Sequence, residues 1–138
     1  MSDVPYSLPP IGWVESPLHD IGAAPAQGDE GAPESWIALR PDLHAGMRGL
    51  AVGDELIVLT WLDRADRSIL EVHPRGDPQR SLTGVFSTRS PDRPNPIGLH
   101  HVHILAIDGT TLRVSNLEAV DGTPVLDLKP VLGPVTER

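Results

Sequence analysis

The stretch that decides the fold runs from residue 98 to 117, Gly98-Leu99-His100-His101-Val102-His103-Ile104-Leu105-Ala106-Ile107-Asp108-Gly109-Thr110-Thr111-Leu112-Arg113-Val114-Ser115-Asn116-Leu117. Two strand-like runs, Gly98 to Ile107 and Thr111 to Leu117, flank Asp108-Gly109. Both turn residue types tolerate positive φ, so the pattern reads as a β-hairpin. Downstream, Asp121-Gly122-Thr123-Pro124 reads as a second turn, and Val125 to Leu128 as the strand it feeds. Upstream, Glu55 to Leu62 is a continuous apolar run expected to form a strand buried on both faces. Ser35 to Leu39 and Ile11 to Glu15 are shorter strands, with Ser68 to Val72 and Ser81 to Phe86 further candidates. Pro41 to Leu50 predicts a turn or two of helix, with Asp42 placed to cap it. Many short strands separated by Gly and Pro turns point to an antiparallel barrel or sandwich.

Composition agrees. The chain has 138 residues with 13 Gly and 15 Pro, a length that fits one domain with a genuine core. Proline stands at about twice its usual share, and each interior proline costs a helix about 3 kcal/mol, which argues against a helical bundle. The absence of cysteine removes disulfides, thiol catalysis and thiolate metal sites. No run of 18 apolar residues occurs, so no membrane partner is expected. The first twenty residues carry Asp3, Glu15 and Asp20 without Lys or Arg, unlike a secretory leader, so a cytoplasmic location is expected. Residues 1–10 read as a lead-in, 11–132 as the β domain and 133–138 as a tail. Residues 18–34, rich in Gly, Ala, Pro and acid, read as a long loop of the kind that is mobile or functional.

The formal charge of −8 is uneven. Residues 1–63 balance to −8, residues 64–93 to +2 with six arginines, and residues 94–138 to −2. Arginine's planar fork suits carboxylate and phosphate, although surface ion pairing explains such residues equally well. An acidic body with one local arginine stretch does not resemble a duplex-binding surface, where phosphate neutralisation supplies much of the affinity. No G-x-G-x-x-G turn opens a long helix, which argues against a Rossmann methyltransferase or dehydrogenase.

Chemistry concentrates in residues 84–99, Gly84-Val85-Phe86-Ser87-Thr88-Arg89-Ser90-Pro91-Asp92-Arg93-Pro94-Asn95-Pro96-Ile97-Gly98-Leu99. Each of the three prolines fixes its own φ and holds its predecessor extended. The loop should be stiff, presenting Arg89, Ser90, Arg93 and Asn95 in set directions; the alternative is a plain surface connection.

This segment closely resembles the signature loop of the TsaA-like β-barrel methyltransferases, and residues 121–130, Asp-Gly-Thr-Pro-Val-Leu-Asp-Leu-Lys-Pro, resemble the family's second signature. Weaker echoes lie in Ile11-Gly12 with Ser16-Pro17, Pro25-Ala26-Gln27, Met47-Arg48-Gly49-Leu50 and Trp61-Leu62-Asp63-Arg64-Ala65. The resemblance implies an all-β fold, a small antiparallel barrel with long loops and at most one or two short helices. It further implies S-adenosylmethionine as cofactor and a homodimer with the site near the subunit interface. The resembling enzymes include N-methyltransferases of threonylcarbamoyl-adenosine beside the tRNA anticodon. Carried over by position, Pro25, Gln27, Gly28, Asp63, Arg64, Arg89, Leu99, Leu117, Glu118, Ala119, Val120 and Asp121 would bind the cofactor. Glu118 and Asp121 offer acceptors for hydroxyl or amino groups, and Arg89 a counter-charge for a carboxylate. Arg93 and Asn95 are the candidates for positioning the methyl acceptor; no residue stands out as a general base.

Departures from the family pattern bear on substrate. Asp92 stands where an aromatic residue is common, Glu15 and Ala26 where arginine is, Asp63 where histidine is, and His100 where a small serine is. Acidic replacements on the acceptor side imply altered or weakened tRNA recognition, with a small-molecule acceptor possible. The alternative is a donor-binding module or sensor without catalysis. The run His100-His101-x-His103 puts His101 and His103 on one strand face. A solvated or interface face is the expected reading there, and no metal site is expected.

Overall fold

The computed structural model describes residues 6–17 and 34–133. The strands are β1 (Gly12–Glu15), β2 (Ser35–Leu39), β3 (Glu55–Trp61), β4 (Glu71–Val72), β5 (Thr83–Gly84), β6 (Ile97–Asp108), β7 (Thr111–Val114) and β8 (Pro124–Pro130). Six of them close an antiparallel barrel in the order β1-β2-β7-β6-β3-β8, while among the described residues β4 and β5 pair only with each other. Helical character among the described residues is confined to one 3₁₀ helix, Pro41–Met47, and two three-residue 3₁₀ turns, Pro74–Gly76 and Val85–Ser87.

Alternation along the strands fills the barrel. Val14, Ile37, Leu39, Leu56, Val58, Val102, Ile104, Leu112, Val114 and Val125 point inward and are buried. β3 corrects the expectation of burial on both faces. Leu56, Val58 and Thr60 are inside, whereas Ile57, Leu59 and Trp61 form a half-buried outer row. A closed barrel has one packed interior, so an unbroken apolar run is split between core and outer wall.

The β6–β7 hairpin forms, but its turn sits one residue later than the sequence predicts. Asp108 still pairs with Thr111, and Gly109 opens the turn at φ +60°. Glycine at that first central position is what a two-residue hairpin turn favours. β7 stops at Val114 rather than Leu117, because Asn116 turns left-handed at φ +60°. Register shifts between Ile104 and Ala106 on β6, and opposite Leu59 and Thr60 on β8, add the curvature that closure needs. Gly12 pairs with Leu39 so closely that a Cβ there would meet the Ala38 and Leu39 backbone.

Two other expectations change. Asp42 does not cap the 3₁₀ helix; its carboxylate instead holds the Arg40 guanidinium at 2.7 Å, and that bond lowers its pKa below the ordinary value. The run Ser81 to Phe86 is a strand only at Thr83–Gly84 before it coils into a 3₁₀ turn.

Candidate functional site

Strand directions sort the connections between two ends of the barrel. At one end lie the close of β1, the start of β2, the close of β3, the start of β6, the close of β7 and the start of β8. The arm of residues 62–96 and the loop of residues 115–123 therefore emerge together, at the end where β1 closes and β2 begins. The expected cofactor residues Pro25, Gln27 and Gly28 lie outside the described residues. The opposite end carries the 3₁₀ helix and the β6–β7 turn.

The signature loop is folded around Arg93. Its Nε donates to the Ser90 carbonyl at 2.8 Å, and its Nη2 to the carbonyls of Val85 and Thr88 at 2.7 and 2.6 Å. Thr88 Oγ1 also donates to the Val85 carbonyl, at 3.0 Å. Charge-assisted bonds to three carbonyls complement the prolines in stiffening this segment. Asn95 is exposed, and its Oδ1 accepts from Arg67 Nη2 at 2.9 Å. Arg67 Nε donates to the Pro94 carbonyl at 2.6 Å, and the same guanidinium lies 5.1 Å from the Trp61 ring centre. Asp92 turns one oxygen to the Asp66 backbone N–H at 2.8 Å, tying the two sides of the arm together.

The arginine-rich stretch thus divides. Arg67 and Arg93 build the arm, and Arg80 faces Asp77 at 3.9 Å. Arg89 is exposed and makes no hydrogen bond or ion pair with the described residues, so its guanidinium is available to an anionic group. Asp63 and Arg64, both exposed, follow the close of β3, where the Leu62 N–H bonds to the Pro96 carbonyl at 2.8 Å. Leu99 is 45% exposed on the outer face of β6, level with Leu59.

Loop 115–123 caps the same end. Leu117, Ala119 and Val120 are buried, and Leu117 and Ala119 join the core, so this segment can meet a ligand mainly through its backbone and its acidic side chains. Asp121 Oδ1 accepts from the Ser16 N–H at 3.0 Å, and the Gly122 N–H donates to the Val14 carbonyl at 2.7 Å, fastening the loop to β1. Glu118 points inward, its Oε1 3.5 Å from Nδ1 of the buried His100. Its Oε2 is buried with no hydrogen-bond partner among the described residues. A buried carboxylate oxygen without a donor is costly, and it fits a ligand that brings an N–H or O–H. His100 Nε2 in turn sits 2.8 Å from Thr60 Oγ1.

Sequence reasoning named Glu118 but gave His100 no part in the site. Inward alternation along β6 carried the signal: His100 shares its face with Gly98 and Val102, at a register opposite Val58. His101 and His103 do share the outer face, with ring centres 5.8 Å apart, facing Glu55 at 2.8 and 3.5 Å. These contacts, led by the hydrogen bond from His101, hold the Glu55 carboxyl below its ordinary pKa. Among the described residues no group of three or more side chains is arranged to hold a metal ion.

Comparisons with known proteins bear on this arrangement. The tRNA-methyltransferase O N-terminal domain family matches residues 13–135. A Methanothermobacter thermautotrophicus protein named "Probable S-adenosyl-L-methionine-binding protein" is 45% identical over 130 residues, covering 94% of this chain and 93% of the relative. An Archaeoglobus fulgidus S-adenosyl-L-methionine-binding protein is 43% identical over 122 residues, covering 88% and 86%. The crystal structure of TrmO from Pseudomonas aeruginosa superposes with a TM-score of 0.73 at 29% identity, covering 94% of this chain and 57% of that one. The present chain therefore spans little more than half the length of that enzyme. With the barrel, the two signature segments and these matches in agreement, the chain belongs to the tRNA-methyltransferase O N-terminal domain family.

Proposed function

We propose that this protein binds S-adenosylmethionine at the barrel end that carries the arm and loop 115–123, and transfers its methyl group to an acceptor. The observation that carries the reading is the buried Glu118 Oε2, an acceptor without a donor among the described residues, at the same end as the exposed Arg89, which pairs with none of them. The names of the relatives from Methanothermobacter and Archaeoglobus support the same ligand. In this reading Arg89 pairs with the donor's carboxylate, and Glu118 accepts from one of its N–H or O–H groups. Asp63, Arg64, Leu99 and the backbone of Leu117, Ala119, Val120 and Asp121 line the remainder, with Pro25, Gln27 and Gly28 expected to complete it.

Bound S-adenosylmethionine supplies an activated methyl on a sulfonium, so the protein's main task is alignment. Arg93 serves that task from within, by holding the loop in shape, and Asn95, steadied by Arg67, faces outward toward the acceptor. The acceptor class resembles the threonylcarbamoyl-adenosine of tRNA, with weakened or altered tRNA recognition, or a smaller molecule. Exposed acids at the same end, Glu15 and Asp63, together with the charge of −8, support that restriction. A homodimer in the cytoplasm completes the proposal; the outer apolar row of Leu59, Trp61, Ile97 and Leu99 supports self-association.

Purified protein incubated with methyl-labelled donor tests the reading. Binding is expected to raise the melting temperature, and turnover to yield S-adenosylhomocysteine. Donor binding without turnover would reassign the chain to a donor-binding module without catalysis. Robust methylation of threonylcarbamoylated tRNA would refute the restriction on tRNA.

A further inference from the structure

β6 turns Gly98 and His100 to the barrel interior, and Gly98 pairs across the sheet with Thr60. A Cβ at Gly98 would collide with Thr60 Oγ1 and come within 2.8 Å of His100 Nε2. Glycine here is therefore what leaves room for the 2.8 Å contact between Thr60 Oγ1 and His100 Nε2. His100 is only 5% exposed, and its other nitrogen faces the Glu118 carboxylate at 3.5 Å.

The order of charges fixes the direction of this chain. An anionic oxygen facing Nδ1 favours the proton on Nδ1, which leaves Nε2 as an acceptor. The Thr60 hydroxyl then donates to Nε2, and Nδ1–H points at Glu118 Oε1. Each group donates toward the carboxylate, and Oε2 is left over for a donor that none of the described residues supplies. At 3.5 Å the last link is longer than a charge-assisted hydrogen bond of about 2.7–2.9 Å, so a small movement of Glu118 closes it.

We infer that His100 is a positioning residue: held by Thr60, its imidazole orients Glu118 so that the second carboxylate oxygen accepts an N–H or O–H of the bound methyl donor. The inference rests on the proposed donor site and assigns a role to a residue that departs from the family's small serine.

Calorimetry with S-adenosylhomocysteine, on wild type and a double-mutant cycle, tests it. His100→Leu is expected to weaken binding about 10-fold, as loss of a hydrogen bond to a charged group does. His100→Asn, whose side-chain amide can stand in for Nδ1–H, is expected to stay within about 3-fold. In a Glu118→Gln background, His100→Leu should add little, because the two act as one unit. The ¹⁵N shifts of His100 should report the Nδ1–H form, with the Nδ1 proton moving downfield when ligand binds. Unchanged binding in His100→Leu, or independent effects of the two substitutions, overturns the positioning role alone. Absence of binding by the wild type overturns the donor reading and the positioning role with it.

Discussion

The two ends of the barrel are closed by the same device and finished differently. At one end the 3₁₀ helix drops Met47 into the core, with Leu50 packed against it; at the other, loop 115–123 drops Leu117 and Ala119. The helical plug keeps its backbone satisfied locally: the Leu43 N–H bonds to the Arg40 carbonyl at 3.0 Å, and the Leu50 N–H to the Met47 carbonyl at 3.0 Å. The loop plug runs through left-handed Asn116 and leaves His100 Nδ1 and Glu118 Oε2 without hydrogen bonds to the described residues. Ser35 Oγ, at the start of β2, also has no partner among the described residues at that end. A plug made for stability alone resembles the first. Retained polar imbalance at the second is what the proposed donor site would draw on.

Substitutions at each end sharpen or break that contrast. Met47→Ala should have the largest effect on stability, about 2–4 kcal/mol, or roughly 10 °C in melting temperature, with binding of S-adenosylhomocysteine unchanged. Met47 already borders an apolar hollow of about 280 Å³ with His44, Ala45, Arg48, Leu50, Ile107 and Gly109, so the truncation only enlarges a void. Arg93→Ala should do the reverse. Freeing the three carbonyls it holds loosens the signature loop and weakens binding about 10-fold, with only a slight change in melting. A melting loss as large as that of Met47→Ala would break the contrast between the ends.

Arg67→Gln removes the cation over Trp61, a contact worth about 0.5–1 kcal/mol at exposed sites, and should change Trp61 emission more clearly than the melting temperature. Glu55→Gln, on the outer wall toward the helical end, should show the smallest effect. The folded pKa of Glu55 is lowered, so its contribution is present above the ordinary carboxylate range and is lost as pH falls through the lowered value. Melting curves of the two proteins should differ slightly at neutral pH and converge in acid.

Much of the scaffold was legible in the residues, because alternation and turn chemistry act locally. Ser35–Leu39 forms the strand that its sequence predicts, and β6 extends the predicted run by one residue at each end. What escaped depends on distant partners. Whether Glu55 to Leu62 is buried on two faces or one is decided by closure of the sheet, which no window of eight residues reports. Asp42 is the exception, a local one: the Arg40 guanidinium two residues before it competes with the helix end and wins. In the site, the prolines announced a stiff loop, yet only folding shows Arg93 turned back into it. The link between His100 and Glu118 joins residues 18 apart through a barrel interior that neither neighbourhood describes.

The isolation of β4 and β5 has a kinetic consequence. Each is two residues long, among the described residues they pair only with each other, and Leu70, Leu82 and Phe86 beside them remain exposed. Amide protons of the arm are thus protected by a few local bonds rather than by the cooperative melting of the barrel. In deuterium exchange they should be replaced first, through openings that leave the six-stranded wall intact. The barrel wall and the β4–β5 pair should therefore open on separate clocks, the pair frequently and alone, the wall only as a whole.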